Sequence, residues 1–180
     1  MRKVIVSNLV SLDGFFEALN QNLDWFVLDE EFFEYSRSVL RSVGTLLFGR
    51  VTYQHMANYW PSAPAGEIAD NMNNLPKIVF PTTLKTADWK NSRIVRDSIA
   101  EEVSKLKQQS GKDMVIFGSA ALGSYLLQQG LVDEYRIILN PVLIGRGTRL
   151  FKGITESLKL KLSGTQSLSS GVVVLRYEPS

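Results

Sequence analysis

Two short stretches of this chain combine the residue types that grip phosphate. Gly49-Arg50-Val51-Thr52 follows an apolar run from Thr45 to Phe48 and precedes a segment, through Tyr59, that reads as a helix. The glycine permits close backbone approach, the guanidinium can pair bidentately with phosphate oxygens, and the threonine hydroxyl can donate. At a helix start these add to free N–H groups and the positive end of the helix dipole. Gly118-Ser119-Ala120-Ala121-Leu122 repeats the arrangement after the apolar run Met114 to Phe117, with side chains small enough to admit a pyrophosphate. Either stretch alone also suits close packing of a helix on a strand. Two in one domain point to a dinucleotide. A third place is Ser11-Leu12-Asp13-Gly14, where a carboxylate ends the first apolar run and could hydrogen-bond a donor-rich heterocycle or relay a proton. The Asp-Gly pair equally suits a plain turn. Trp25 could cover a flat ligand or pack as a half-buried aromatic.

Composition removes other chemistries. The chain has 180 residues with no cysteine and one histidine, His55, so it has no disulfide framework, catalytic thiol, thiolate zinc site or His/His metal pair. Twenty Lys+Arg against 18 Asp+Glu leave a net charge of +2, which gives no global attraction to nucleic acid or acidic membranes. No Walker A or Gly-x-Ser-x-Gly motif occurs. The Gly118 to Gly123 segment has Ala120 where the dinucleotide fingerprint wants glycine, and Gly145-Arg146-Gly147-Thr148 precedes no convincing helix. The apolar run near the start is too short and polar for a signal-peptide core, and no 18-residue apolar stretch follows. A cytoplasmic protein is expected, without nucleic-acid or membrane partners.

The elements that must position these residues can be read from the pattern. Val4 to Val10 is continuously apolar enough for a central strand covered on both faces. A helix is expected from Asp29-Glu30-Glu31, with Phe32, Val39, Leu40 and Val43 as its stripe and Gly44 as its stop. Strands are expected at Thr45 to Phe48, Lys77 to Phe80, Ile94-Val95, Met114 to Phe117 and Tyr135 to Leu139. Helices are expected after Gly49, around Ile68 to Leu75, from Ser98 to Gly111 with a Ser98/Glu101 capping box, and from Gly118 to Gly130. Asn140 to Phe151 reads as a glycine-broken loop. Leu158 to Leu162 and Val172 to Tyr177 read as an antiparallel hairpin joined by a Ser/Gly turn. The sum is one α/β domain over residues 1–180, with a mostly parallel central sheet, helices on both faces and a C-terminal antiparallel hairpin.

Over nearly its whole length the sequence resembles the dihydrofolate reductase-like superfamily, in particular stand-alone proteins similar to the C-terminal reductase domain of the riboflavin biosynthesis protein RibD. The carrying segments are Ser11-Leu12-Asp13-Gly14, Gly49-Arg50-Val51-Thr52-Tyr53, Phe117-Gly118-Ser119-Ala120-Ala121-Leu122 and Val132-Asp133-Glu134-Tyr135 through Asn140-Pro141-Val142-Leu143-Ile144-Gly145-Arg146-Gly147. The resemblance implies a three-layer reductase fold that holds NADPH, with NADH as an alternative. Gly49, Arg50 and Thr52 would lie near its phosphates and Gly118, Ser119, Ala120, Ala121 and Leu122 along its pyrophosphate. It implies a substrate pocket formed by Ser11, Asp13, Trp25 and the loop after Asn140, with Asp13 as the orienting acid. The implied reaction is hydride transfer to a C=N or sugar-derived carbonyl of a pyrimidine or pterin-like compound, such as 5-amino-6-(5-phosphoribosylamino)uracil. A homodimer is implied as well, with Val172 to Leu175 supplying either interface or core.

This sequence departs from the family pattern in three places. Where such proteins often carry Ser-Arg-Thr for the adenosine 2′-phosphate, this chain has Pro81-Thr82-Thr83, with Lys85 as the nearest cation. Adjacent glycines of dihydrofolate reductases are here Gly118-Ser119, and their folate-protonating acid has no secure counterpart. Dihydrofolate reduction and a non-catalytic nucleotide sensor are therefore the alternative functions. Deamination, the companion activity in RibD, would need a cysteine-bearing zinc site that this chain lacks.

Overall fold

A computed structural model of the chain describes residues 1–80, 83–151, 153–154 and 156–180. Its elements run β1 (Val4–Ser11), β2 (Phe15–Ala18), α1 (Glu30–Ser42), β3 (Val43–Gly49), α2 (Arg50–Tyr59), α3 (Glu67–Asn74), β4 (Lys77–Phe80), β5 (Ser92–Ile94), α4 (Ile99–Gln108), β6 (Asp113–Phe117), α5 (Ala120–Gln128), β7 (Glu134–Asn140), β8 (Gly147–Arg149), β9 (Leu160–Ser167) and β10 (Val173–Pro179). Eight strands form one sheet in the order β5-β4-β3-β6-β1-β7-β10-β9. The strands from β5 to β7 are parallel, while β10 and β9 pair antiparallel at one edge.

The strand order dictates where the helices go. From β1 to β3 and from β3 to β4 the chain moves toward the β5 edge; from β5 to β6 and from β6 to β7 it moves the other way. Right-handed crossovers therefore place α1–α3 on one face and α4 and α5 on the other. The apolar clusters agree. Val4, Val6 and Val10 pack with Val103 and Leu106 of α4 and Leu122 and Leu126 of α5. On the opposite face Ile5 packs with Leu40 of α1, Tyr53 of α2 and Met72 of α3. Phe32, Tyr35 and Val39 of α1 also cover Ile138, Val172 and Val174. Burial on both faces is why these strands read as apolar runs without alternation.

The chain diverges from the sequence expectation at a few points. Helix α1 stops at Ser42, and Gly44 lies within β3 at an irregularity between Val43 and Thr45, with its missing side chain facing Lys112. Helix α4 ends at Gln108, before Gly111. The expected loop between Asn140 and Phe151 contains β8, which pairs with β2 as a separate two-stranded sheet. Strand β9 runs from Leu160 to Ser167, further than expected, because its later residues are polar and exposed along the sheet edge.

Candidate active site

The β3/β6 pair is the switch point of the sheet: the chain leaves these adjacent strands in opposite directions, so α2 and α5 begin side by side on opposite faces. The two starts are bonded to each other. Gly118 and Ser119 both take left-handed backbone, with φ of 60° and 44°. This turns the Ser119 N–H to donate to Thr52 Oγ1 at 2.9 Å, while Ser119 Oγ accepts from the Gly49 N–H at 3.0 Å. A Cβ on Gly118 would stand 3.0 Å from Thr52 Cγ2. With Ser119 turned toward its neighbour, neither Gly49 nor Ser119 caps its own helix. Among the described residues the first-turn N–H groups of both helices have no partner and are open to an anion. Arg50 is half-buried at the first position of α2, donates to Gln54 Oε1 at 2.9 Å, and has no carboxylate partner among the described residues. Ala120 and Leu122 are buried and Ala121 is exposed.

Further along the same sheet edge, past β6, lie the ends of β1 and β7, where Ser11 and Asn140 are register partners. Both side chains are buried and occupied by the protein itself. Asn140 Oδ1 accepts from the Val27 N–H at 2.9 Å and its Nδ2 donates to the Ile138 carbonyl at 3.1 Å. Ser11 Oγ donates to Asp13 at 2.6 Å and accepts from the Phe15 N–H at 3.0 Å. Asp13 also accepts from the N–H groups of Ile144 at 3.2 Å and Gly145 at 2.7 Å. The Ser11 hydroxyl and these backbone donors hold its carboxyl below the ordinary aspartate range. Asp13 is thus a carboxylate that ties down the 141–150 loop. The tied loop lines a cavity of about 470 Å³, to which Ile144, Gly145 and Arg146 contribute one side and Ala18, Leu19 and Asn22 the other. Half-buried Trp25 donates from Nε1 to the Asn22 carbonyl at 3.2 Å and meets Phe26 edge-on.

Against known proteins, residues 2–174 match the RibD C-terminal domain. The chain belongs to this family. An uncharacterized Bacillus subtilis protein, YyaP, is 34% identical over 182 residues, spanning 98% of this chain and 94% of that one. A solved structure described as a putative riboflavin biosynthesis protein from Shewanella has a TM-score of 0.78 at 20% identity, covering 99% of each chain. Dihydrofolate reductase from Enterococcus faecalis, solved with NADP(H), has a TM-score of 0.66 at 12% identity, covering 99% of this chain and 96% of its own. The fold of this RibD C-terminal domain is dihydrofolate reductase-like.

Within the family frame, the segment after β4 is the departure to locate. Phe80 is the register partner of Gly49, so the chain leaves β4 beside the start of α2. Thr82 lies outside the described residues, and Thr83 and Lys85 are exposed. Arg96 Nη2 donates to the carbonyls of Leu84 and Lys85, each at 3.0 Å, adding a cation the sequence reading missed. Arg96 follows a strand of only three residues, too short to show where its side chain would return. His55 is exposed on α2. Trp60 packs half-buried, its Nε1 donating to Met56 Sδ.

Proposed function

We propose that the protein is an NADPH-dependent reductase of a small nitrogen heterocycle, of the aminopyrimidine-ribityl or pterin class, acting in the cytoplasm. The observation that carries this reading is the pair of cross-bonded, uncapped helix starts at the switch point, with the Arg50 guanidinium beside them. These groups fit a bisphosphate: the free first-turn N–H groups of α2 and α5 and Arg50 would hold the cofactor's phosphates, and Thr52 and Ser119 would hold the two helix starts together. NADPH, when bound, supplies a hydride to a C=N or carbonyl carbon. Thr83, Lys85 and Arg96 belong to the segments that follow β4 and β5, where the family resemblance puts the adenosine 2′-phosphate, and Lys85 and Arg96 would be the cations that meet it in NADPH. Asp13, Ser11 and Asn140 act by fixing the loops around the substrate cavity, and Trp25 stands on one of those loops.

Fluorescence titration with NADPH and NADH tests the reading. Arg50→Ala should weaken NADPH binding roughly tenfold to 150-fold, the worth of a charge-assisted contact at about 1.5–3 kcal/mol. Unchanged affinity in this variant would overturn the assignment. A panel of aminopyrimidine ribityl compounds, pterins and dihydrofolate, followed by loss of NADPH absorbance, then separates reductase from sensor: turnover at about 1 per second or more removes the sensor.

The proposed assembly is a homodimer. Val172 and Val174 are core residues under α1. Val173 and Leu175 alternate with them to the other face and are half-buried beside their register partners Leu139 and Ile137, leaving an apolar strip for a second copy. Size exclusion with light scattering should return the mass of a dimer; a monomer mass at micromolar protein sinks this part of the proposal.

A further inference from the structure

The segment between β4 and β5 carries Lys85, yet it has little structure of its own. Among the described residues, 83–88 make no hydrogen bond from one backbone group to another. Side chains from other elements locate it instead. Arg96 holds the Leu84 and Lys85 carbonyls, and Leu84 and Ala87 pack against the apolar cluster that contains Tyr53 and Met72. Trp89 ends the segment as an anchor buried in the same cluster.

Three elements grip that anchor. From α2, Tyr53 Oη accepts the Trp89 backbone N–H at 3.0 Å. From α3, Asn73 Oδ1 accepts the indole N–H at 2.7 Å. From β4, the Lys77 ammonium lies 4.3 Å from the centre of the indole ring and donates to the Lys90 carbonyl at 3.0 Å, tying it to the carbonyls of Asn73 and Leu75. Tyr53 is the partner that reaches the cofactor site. It follows Arg50 by three residues, so the phosphate-gripping guanidinium and this hydroxyl sit one turn apart on one rigid helix. The bond it accepts comes from the main chain in the core, where a lost acceptor leaves a buried N–H unpaired and the segment's backbone must move to relieve it.

We propose that Tyr53 is a positioning residue for cofactor selection. Through the Trp89 N–H it references the 83–89 segment to the helix whose start grips the pyrophosphate, and so sets Lys85 at the spacing an adenosine 2′-phosphate requires. This inference rests on the reductase reading. NADH lacks that phosphate and needs the starts of α2 and α5 without the placement of the segment, so slack at Trp89 is felt by NADPH alone.

Tyr53→Phe keeps the ring and removes only the accepting oxygen. In fluorescence titration of the full chain, its NADPH affinity should fall about fivefold, the effect of one neutral hydrogen bond, while its NADH affinity stays within about twofold of wild type. Arg50→Ala should weaken both cofactors alike and leave their ratio unchanged. Added to Lys85→Ala, Tyr53→Phe should cost NADPH no more than it costs NADH, since residues acting through one contact are not additive. Asn73→Ala, which takes the acceptor from the indole N–H, should shift the ratio in the same direction and decides the matter if Tyr53→Phe fails to fold. An unchanged NADPH-to-NADH ratio, an equal loss for both cofactors, or a loss that persists in full without Lys85 would each overturn the role of Tyr53 and leave the reductase reading standing. A wild-type protein that binds NADPH no more tightly than NADH would overturn this inference and the NADPH assignment together.

Discussion

Gly118→Val is expected to weaken NADPH binding by more than about 100-fold and to destabilise the fold by about 1–3 kcal/mol. The backbone there sits at a φ of 60°, a region that β-branched residues resist. The new Cβ would also stand 3.0 Å from Thr52 Cγ2 and 3.3 Å from Thr52 Oγ1. Relief requires Thr52 to move, which breaks its bond from the Ser119 N–H and, through Ser119 Oγ, loosens Gly49. Both helix starts then lose their common alignment. Gly130 supplies the control: its φ is 67° and nothing lies within 4 Å of an added Cβ. Gly130→Ala therefore incurs left-handed strain of about 1–2 kcal/mol and nothing else, so its NADPH affinity should match wild type. Urea unfolding and NADPH titration of both variants separate strain from site disruption. A Gly118→Val protein that binds NADPH within a few-fold of wild type would remove the cross-bonded helix starts from the cofactor site.

What the sequence disclosed about this site was local. Apolar strand, glycine and helix start are contiguous in Phe48-Gly49-Arg50 and in Phe117-Gly118-Ser119, so both phosphate-gripping stretches could be read from neighbours. Their adjacency could not, because β6 inserts beside β3 only after the chain has passed through β4, β5 and α4. Asp13 shows the same division. Its place at the end of β1 follows from the apolar run, but its partners Ile144 and Gly145 lie more than 130 positions away. Strands β2 and β8 escaped notice because they have four and three residues, too few for a period to develop.

The occupation of Asp13 leads to the other large effect. Asp13→Asn should lower turnover by about 100-fold while leaving NADPH affinity within a few-fold of wild type. The amide offers one acceptor oxygen to three donors, Ser11 Oγ and the N–H groups of Ile144 and Gly145, and turns its own NH₂ toward one of them. The 141–150 loop then loses its tie beside the substrate cavity, and displacement of a positioning loop by about 1 Å costs on the order of 100-fold. Proteolysis within that loop should accelerate in parallel. The pH dependence distinguishes a tie from a proton donor. Because Asp13 has a lower pKa in the folded chain than in the unfolded one, its contribution is complete above the unfolded value of about 3.9 and fades as pH falls through the folded value. Wild-type kcat/KM should accordingly show no inflection from Asp13 between pH 5 and 8 (roughly the range in which a neutral-pH catalyst is poised). A proton donor would need its pKa raised into that range, giving a fall on the alkaline side that Asp13→Asn abolishes. Observation of such a fall, lost in the variant while the loop resists protease as in wild type, would restore Asp13 to acid catalysis and refute its role as a tie.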